Sequence, residues 1–392
     1  MPDIKLRVLG WLRVNRRLLV FLSVMLIIII VLSALSVNFT NKSPKRNFYV
    51  GVELAYGNDF NTLKVMVDQV KDYTNVFVFG VPELTFNRTL LDQSCDYIYS
   101  TGLHFIVLFT NVTQYSVWGN YTPAQWTTDA MRKYGDKFLA VYRWDEPGGD
   151  QIDASRYQLV TNITSSYSEV ANNYVSRLGS YLKYFTSTGQ TVLTADYELY
   201  WFDYKAGYNT VLCEFGWNNS RPQQIALCRG AARANNMDWG AMMTWTYNQS
   251  PYIESASKLY DDLMLAYNSG AKYEIVFSYP NITQCGILTD EHLQALKNFW
   301  NYVSNNAPTD PYYERVQTAY VLPADYGFGF RSATDRMWGL WGPDSLSGKV
   351  WNDTTAFVTQ YGTNFDIVFD EEQYKQSFMS HYDKIVYWNQ TG

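Results

Sequence analysis

The hydrophobic positions of this chain follow two alternating rhythms. Short runs rich in Val, Ile, Phe and Tyr, with the composition of strands, occur at 48–54, 75–80, 105–110, 138–144, 191–195, 210–215, 239–247 and 274–279. Between them lie longer stretches in which apolar residues recur every three to four positions, at 60–72, 90–101, 123–134, 155–186, 222–235, 253–268 and 290–305. Strands that alternate with helices predict a parallel sheet with crossover helices. Eight of them over about 260 residues match the usual size of a (β/α)8 barrel, here drawn as 47–307. The tightest connection is 197–209, which is too short for a full crossover helix with its loops but has room for one or two turns across 201–208. A doubly wound open sheet is the competing arrangement, and it lacks its usual mark, since no Gly-rich phosphate loop follows an early strand.

From residue 308 a second, smaller pattern begins. An apolar stretch at 319–322, an aromatic run through Trp338 and Trp341, a helical period at 347–361 and strand-like runs at 365–369 and 385–388 predict an α/β accessory domain over 308–392. It has no Cys, and His381 is its only His, so no chemistry is assigned to it.

The N-terminus differs from both. Residues 18–37 are uncharged and apolar, about the 20 residues a helix needs to cross a bilayer. Lys5, Arg7, Arg13, Arg16 and Arg17 precede them, so 1–17 is expected in the cytoplasm, and everything beyond the 38–46 linker outside, anchored to the membrane by one helix. A cleaved signal peptide is the alternative, but its apolar core is normally shorter, and only 33–36 offers a loose cleavage pattern. Asn-x-Ser/Thr acceptors at Asn38, Asn41, Asn87, Asn111, Asn120, Asn162, Asn218, Asn248, Asn281, Asn352 and Asn389 agree with export. Cys95, Cys213, Cys228 and Cys285 are too few for a disulfide scaffold and lack zinc-site spacing; one or two bridges are compatible with an extracellular chain.

The formal net charge of -6 argues against nucleic acid as a partner. Aromatic and charged residues each make up 17% of the chain, and the abundant Tyr and Trp offer flat faces suited to sugar rings, although such residues also fill cores.

The strongest local signal is 138–149, FLAVYRWDEPGG, in which an apolar strand stops at two adjacent carboxylates followed by Pro-Gly-Gly. In a barrel, the C-terminal strand ends carry the site, and two close carboxylates can be driven into different protonation states. The same Asp-Glu-Pro could instead simply start a helix. Collecting the other strand ends gives Glu53 with Tyr56, Glu83, Trp144 with Asp145 and Glu146, Asp196 with Glu198, Glu214 with Trp217, Trp245 with Tyr247, and Tyr279. Glu214, inside an apolar run, is costly to bury unless paired or used. Of three His, His104 begins a strand and falls on the wrong face, so Ser-His-Asp, Cys-His and His-metal chemistry are disfavoured, while an all-oxygen calcium site stays open. No cofactor is called for. Carboxylates among Trp and Tyr fit glycoside chemistry, with one acid protonating the leaving oxygen and a second carboxylate acting as nucleophile, base or stabiliser.

A barrel with Trp-Asp-Glu closing its fourth strand resembles the barrel glycoside hydrolases. The adjacent Asp145-Glu146 pair is similar to the β-N-acetylhexosaminidase type, which implies Glu146 as general acid and Asp145 orienting a substrate acetamido group. A retaining-glycosidase resemblance implies Glu146 as acid and Glu214 as nucleophile. The chain departs from the latter: the seventh strand, 239–247, ends in MTWTY and has no carboxylate, and Asp145 stands where those enzymes have Asn. The resemblance spans about 47–305 and implies a glycan or polysaccharide substrate, with a binding protein or a transglycosylase as alternatives. Glu53, Tyr56, Trp144, Asp196, Trp217, Trp245, Tyr247 and Tyr279 are the candidate substrate contacts.

Overall fold

The computed structural model of the chain describes residues 47–110, 112–162, 166–305 and 316–390. The expected tail, membrane span and linker over 1–46, and the 307/308 boundary, lie outside the described residues. Among the described residues no helix is long and apolar enough to cross a membrane.

Eight parallel strands close into a barrel in sequence order: β1 (Tyr49–Leu54), β2 (Val76–Phe79), β3 (His104–Phe109), β4 (Phe138–Arg143), β5 (Val192–Asp196), β6 (Thr210–Phe215), β7 (Asp238–Met243) and β8 (Tyr273–Ser278). Closure is made by β1 against β8, where Tyr49 pairs with Tyr273 and Leu54 with Ser278. Alternate residues fill the interior, including Val76 and Val78, Ile106, Ala140 and Tyr142, Leu193 and Ala195, Leu212, Met242, Tyr273 and Ile275. The intervening positions meet the helices, which explains why the strands read as nearly continuous apolar runs. By the same alternation Glu53 on β1 and Glu214 on β6 face inward near the C-terminal end.

Helix Pro123–Tyr134 starts at a capping box, with Thr122 and Gln125 each bonded to the other's backbone. The helix expected over 155–186 begins only at Tyr167, where the Ser166 side chain caps it; a separate short helix, Pro147–Ile152, precedes it. The short connection after β5 is helix Tyr200–Ala206, stopped by Gly207 at φ 117°. The seventh strand ends at Met243, earlier than the apolar pattern suggests, because 244–247 turn away as loop. The four cysteines are buried and free, so the described residues contain no disulfide between them.

Beyond the barrel, β9 (Thr318–Leu322), β10 (Phe365–Phe369) and β11 (Lys384–Tyr387) form a parallel three-stranded sheet in the order β10-β9-β11, with helix Ser347–Tyr361. It packs on barrel helix Arg221–Ala234, which is buried on both sides; Pro222 is the one residue of that helix not buried. The small residues of RPQQIALCRGAARA permit this, since Gly230 lies against the Ile367 backbone with no space for a Cβ. Arg229 and Arg233 reach across to Asp366 at 2.7 and 2.9 Å, and the Tyr382 hydroxyl donates to the same carboxylate at 2.8 Å. At a second link Lys205 and the Trp201 indole both hold Glu371, each at 2.8 Å.

Candidate active site

The site is built where β4 ends. Tyr142 faces the interior, while Arg143 points outward and donates to the Thr110 carbonyl at 3.1 Å. Trp144 and Glu146 then both adopt left-handed backbone, at φ 57° and 53°. For residues with a Cβ this conformation costs roughly 1–2 kcal/mol each, so neighbouring contacts must hold it. The Glu146 N–H donates to the Ala195 carbonyl at 3.0 Å, and the Thr194 hydroxyl donates to the Trp144 carbonyl. Asp196 accepts the N–H groups of Gly148, Gly149, Tyr197 and Glu198 at 2.5, 2.9, 2.8 and 3.2 Å. Both glycines are required by this clamp. A Cβ on Gly148 would sit 2.4 Å from the Glu198 carbonyl oxygen, and one on Gly149 2.2 Å from the Tyr197 ring.

The two sequence expectations for Asp-Glu-Pro therefore hold together: Pro147 does begin a helix, and the carboxylates do close a strand. The helix start takes its side-chain oxygen from Asp196 on the next strand, and Glu146 makes no cap bond. That leaves the Glu146 carboxyl for the mouth.

There it meets Glu214. The two carboxyls lie in hydrogen-bond contact, Glu214 donating, and with Asp145 they line a cavity of about 180 Å³ walled by Trp217, Met242, Thr244, Trp245, Phe277 and Tyr279. Burial first, then the charges of Asp145 and Asp196, push Glu146 up to about 8, against the hydrogen bond from Glu214. Glu214 is raised well above the carboxylate range by burial, then by Glu146 and Asp145. Both carboxyls therefore bind their protons more tightly than an isolated glutamate and titrate as a coupled pair. Asp145, exposed to the cleft but crowded by protein atoms, is raised by that crowding and opposed by the hydroxyl of Tyr142, which donates to it.

The remaining candidates divide. Glu53 faces inward at 4% exposure, with Oε2 lacking a hydrogen-bond partner; burial and Asp145 raise it well above its ordinary value. Trp217 and Tyr279 are exposed on the cavity wall, and the Trp245 indole N–H donates to the Tyr279 carbonyl at 2.6 Å, holding the two rings stacked at 6.0 Å. Tyr247 is exposed on the loop after β7, outside the cavity lining. Three expected contacts are corrected by their surroundings. Tyr56 is buried, its hydroxyl donating to the Gln284 carbonyl at 3.2 Å, so it packs beneath a loop. The left-handed turn swings Trp144 outward onto Tyr181, with ring centroids 4.9 Å apart. Asp196 is fully buried and occupied by backbone N–H groups; burial raises it to about 7 in spite of them. Glu83 lines a separate open groove with Phe86 and Trp118.

The sequence reading missed Tyr142, Met242, Thr244 and Phe277, although alternation along their strands could have found them. It also missed Arg331 of the C-terminal segment, which pairs with Asp153 and Asp335 and lies 3.9 Å from the buried Glu198 at the end of β5. Arg221 is a further support, donating to the carbonyls of Gly216 and Asn219 at 2.8 and 2.9 Å and so fixing the loop that carries Trp217. Among the described residues no group of three or more His, Cys, Asp or Glu side chains is arranged to hold a metal ion.

No family model matches the chain, and no curated protein matches it. Solved structures of similar architecture include glycoside hydrolases. One is the pneumococcal virulence factor StrH, studied for N-glycan recognition and hydrolysis, at 8% identity over 70% of this chain and 88% of that one, TM-score 0.43. Another is the Bacillus subtilis mannanase BCman, at 9% identity over 67% and 86%, TM-score 0.41. A truncated 3-deoxy-D-arabino-heptulosonate 7-phosphate synthase from Thermotoga maritima is similar to a comparable degree, at 8% identity over 66% and 88%, TM-score 0.39. Likeness at this level concerns the barrel and carries no activity with it.

Proposed function

We propose that the chain is a membrane-anchored extracellular glycoside hydrolase in which Glu146 is the acid and base and Glu214 the nucleophile. The observation that carries this is the contact of the two carboxyls, delivered by β4 and β6 into a cavity walled by Trp217, Trp245 and Tyr279. Glu146 protonates the glycosidic oxygen while Glu214 attacks the anomeric carbon, so that the C–O bond to the leaving group breaks as the glycosyl ester forms. Water, deprotonated by Glu146, then hydrolyses that ester and returns both groups to their starting states. Positive charge developing at the anomeric carbon beside Glu214 favours its ionised form, while a proton is kept on Glu146, where the leaving group needs it. Inversion requires separations of about 6.5–9.5 Å to admit a water between the carboxyls, against about 5–5.5 Å for retention. Contact this close is shorter than either separation and lies nearer to that of retention, which a bound sugar would reach by parting the two carboxyls.

A second reading rests on Asp145, which opens into the same cavity and is aligned by Tyr142: an acetamido sugar could supply its own nucleophile, with Asp145 orienting it. The test uses the full chain in detergent against neutral and acetamido glycans. Glu146→Gln and Glu214→Gln should each lower kcat by roughly 10²–10⁴ with binding nearly intact. Loss confined to acetamido substrates in Asp145→Asn, with Glu214→Gln active, would transfer the mechanism to substrate assistance. Firm glycan binding by wild type with no turnover across the panel would make the protein a binder.

A further inference from the structure

We propose that the strand-end face of the barrel is its glycan-bearing face, with N-linked chains at Asn218, Asn248 and Asn281 fencing one side of the cavity mouth. The proposal rests on the extracellular placement above and is independent of the carboxylate chemistry.

In a parallel barrel every loop that leaves a strand lies on one face and every turn that enters a strand lies on the other. The acceptor sequences of the described barrel follow this division. Asn87 lies in the loop after β2, Asn120 after β3, Asn162 after β4, Asn218 after β6, Asn248 after β7 and Asn281 after β8, and all six are exposed. On the opposite face Asn75, Asn209, Asn235 and Asn236 are present, yet none has Ser or Thr two residues on. Three of those four have structural work for their amides. Asn75 accepts the Val50 N–H at 2.8 Å and donates to the Phe48 carbonyl at 2.7 Å, Asn209 accepts the Val192 N–H at 2.8 Å, and Asn235 donates to the Ala231 carbonyl at 2.9 Å. Asparagine is thus common to both faces, while the acceptor sequence is confined to one.

The β6, β7 and β8 loops are neighbours, and their acceptors adjoin the aromatic rim: Asn218 follows Trp217, Asn248 follows Tyr247, and Asn281 lies two residues after Tyr279. Only the loops after β1 and β5, which stand opposite one another in the ring, carry no acceptor. The β5 side is covered by the C-terminal segment through Arg331.

The modification needs a sugar chain activated as a glycosyl phosphate on a lipid carrier. The Asn Nδ2 bonds to the anomeric carbon as the bond from that carbon to phosphate oxygen breaks; the lipid phosphate leaves with its electron pair, and Nδ2 gives up a proton.

The experiment is peptide mass mapping of the full chain recovered from membranes of a host that performs Asn-linked glycosylation. Glycan mass is expected on the peptides carrying Asn218, Asn248 and Asn281 and absent from those carrying Asn75, Asn209 and Asn235. Unmodified Asn218 and Asn281 overturn the proposal. The fence itself is read by limited proteolysis of a variant with Asn218→Gln, Asn248→Gln and Asn281→Gln. Cutting in 216–220, 244–255 and 279–289 should rise severalfold with no change in the turns of the other face; equal cutting in wild type and variant overturns the fence. The glycan map does not depend on whether the Glu146→Gln test succeeds, so either idea can fail alone.

Discussion

Two regions of this molecule bury carboxylates, and they treat them in opposite ways. At the seam between helix Arg221–Ala234 and the C-terminal sheet, Asp366 is fully buried, yet two guanidiniums and a tyrosine hydroxyl converge on it. Arg229 is bonded further to the carbonyls of Ser269 and Phe365, at 3.2 and 3.1 Å. At the mouth, Glu53, Asp145, Glu146 and Glu214 gather with no Lys, Arg or His in the cavity lining, and the result is raised proton affinity. The first arrangement fixes two layers of the fold; the second, in the proposed mechanism, would hold protons ready for transfer. Burial is common to both, so the partner decides whether a buried acid is structural or reactive.

The comparison breaks first at the seam. Asp366→Ala strands two buried guanidiniums, and loss of one partner of such a pair costs about 3–5 kcal/mol. A matching fall in the urea midpoint is expected, whereas Glu214→Gln at the mouth should cost nothing; equal destabilisation by the two would erase the distinction. Gly148→Ala should have a smaller effect, about 1–3 kcal/mol of overpacking. It should also lower kcat more than it raises KM, because the clamp under Glu146 is displaced. Unchanged kcat would show that Asp196 and its glycines do not position the acid.

The smallest effect is on pH dependence. Glu146 has its folded pKa raised from the ordinary 4.5 to about 8, so its contribution to stability is full below about 4.5 and is lost as pH rises through about 8. Glu214 and Glu53 are raised in the same direction. Tm should therefore rise as the pH is lowered from 8 to 5. In the double variant Glu146→Gln, Glu214→Gln this slope should flatten and Tm at pH 8 should increase by about 2 °C for each ~1 kcal/mol recovered. A Tm that falls over the same pH range would mean that other groups dominate.

Much of this was legible in the chain. The strand and helix rhythms forecast the eight-stranded barrel, because strands covered on both faces must be apolar along their length and crossover helices must be amphipathic. Glu214 stood out for a related reason, as a charge inside an apolar run. The pairing of Glu146 with Glu214 needed the closure of the barrel as well as the strand ends. Local pattern could not separate Trp217 from Trp144, since the backbone turn after β4 sends Trp144 outward to Tyr181. Nor could it reveal that Asp196 serves the backbone of a neighbouring loop, or that Arg331, distant in sequence, reaches the end of β5. Pairings made across long separations have no period to read.

The central claim is that burial and the neighbouring carboxylates hold the Glu146 carboxyl protonated well above the ordinary carboxylate range. Carboxyl carbon NMR of the chain labelled at glutamate Cδ, with Glu146→Gln and Glu214→Gln used to assign the two signals, measures this directly. In wild type the Glu146 carboxyl should titrate near pH 8, and in Asp145→Asn it should move down toward the ordinary carboxylate range as the neighbouring charge is lost. A Glu146 carboxyl that titrates between about pH 4 and 5 in both proteins, as an isolated glutamate does, would contradict the account.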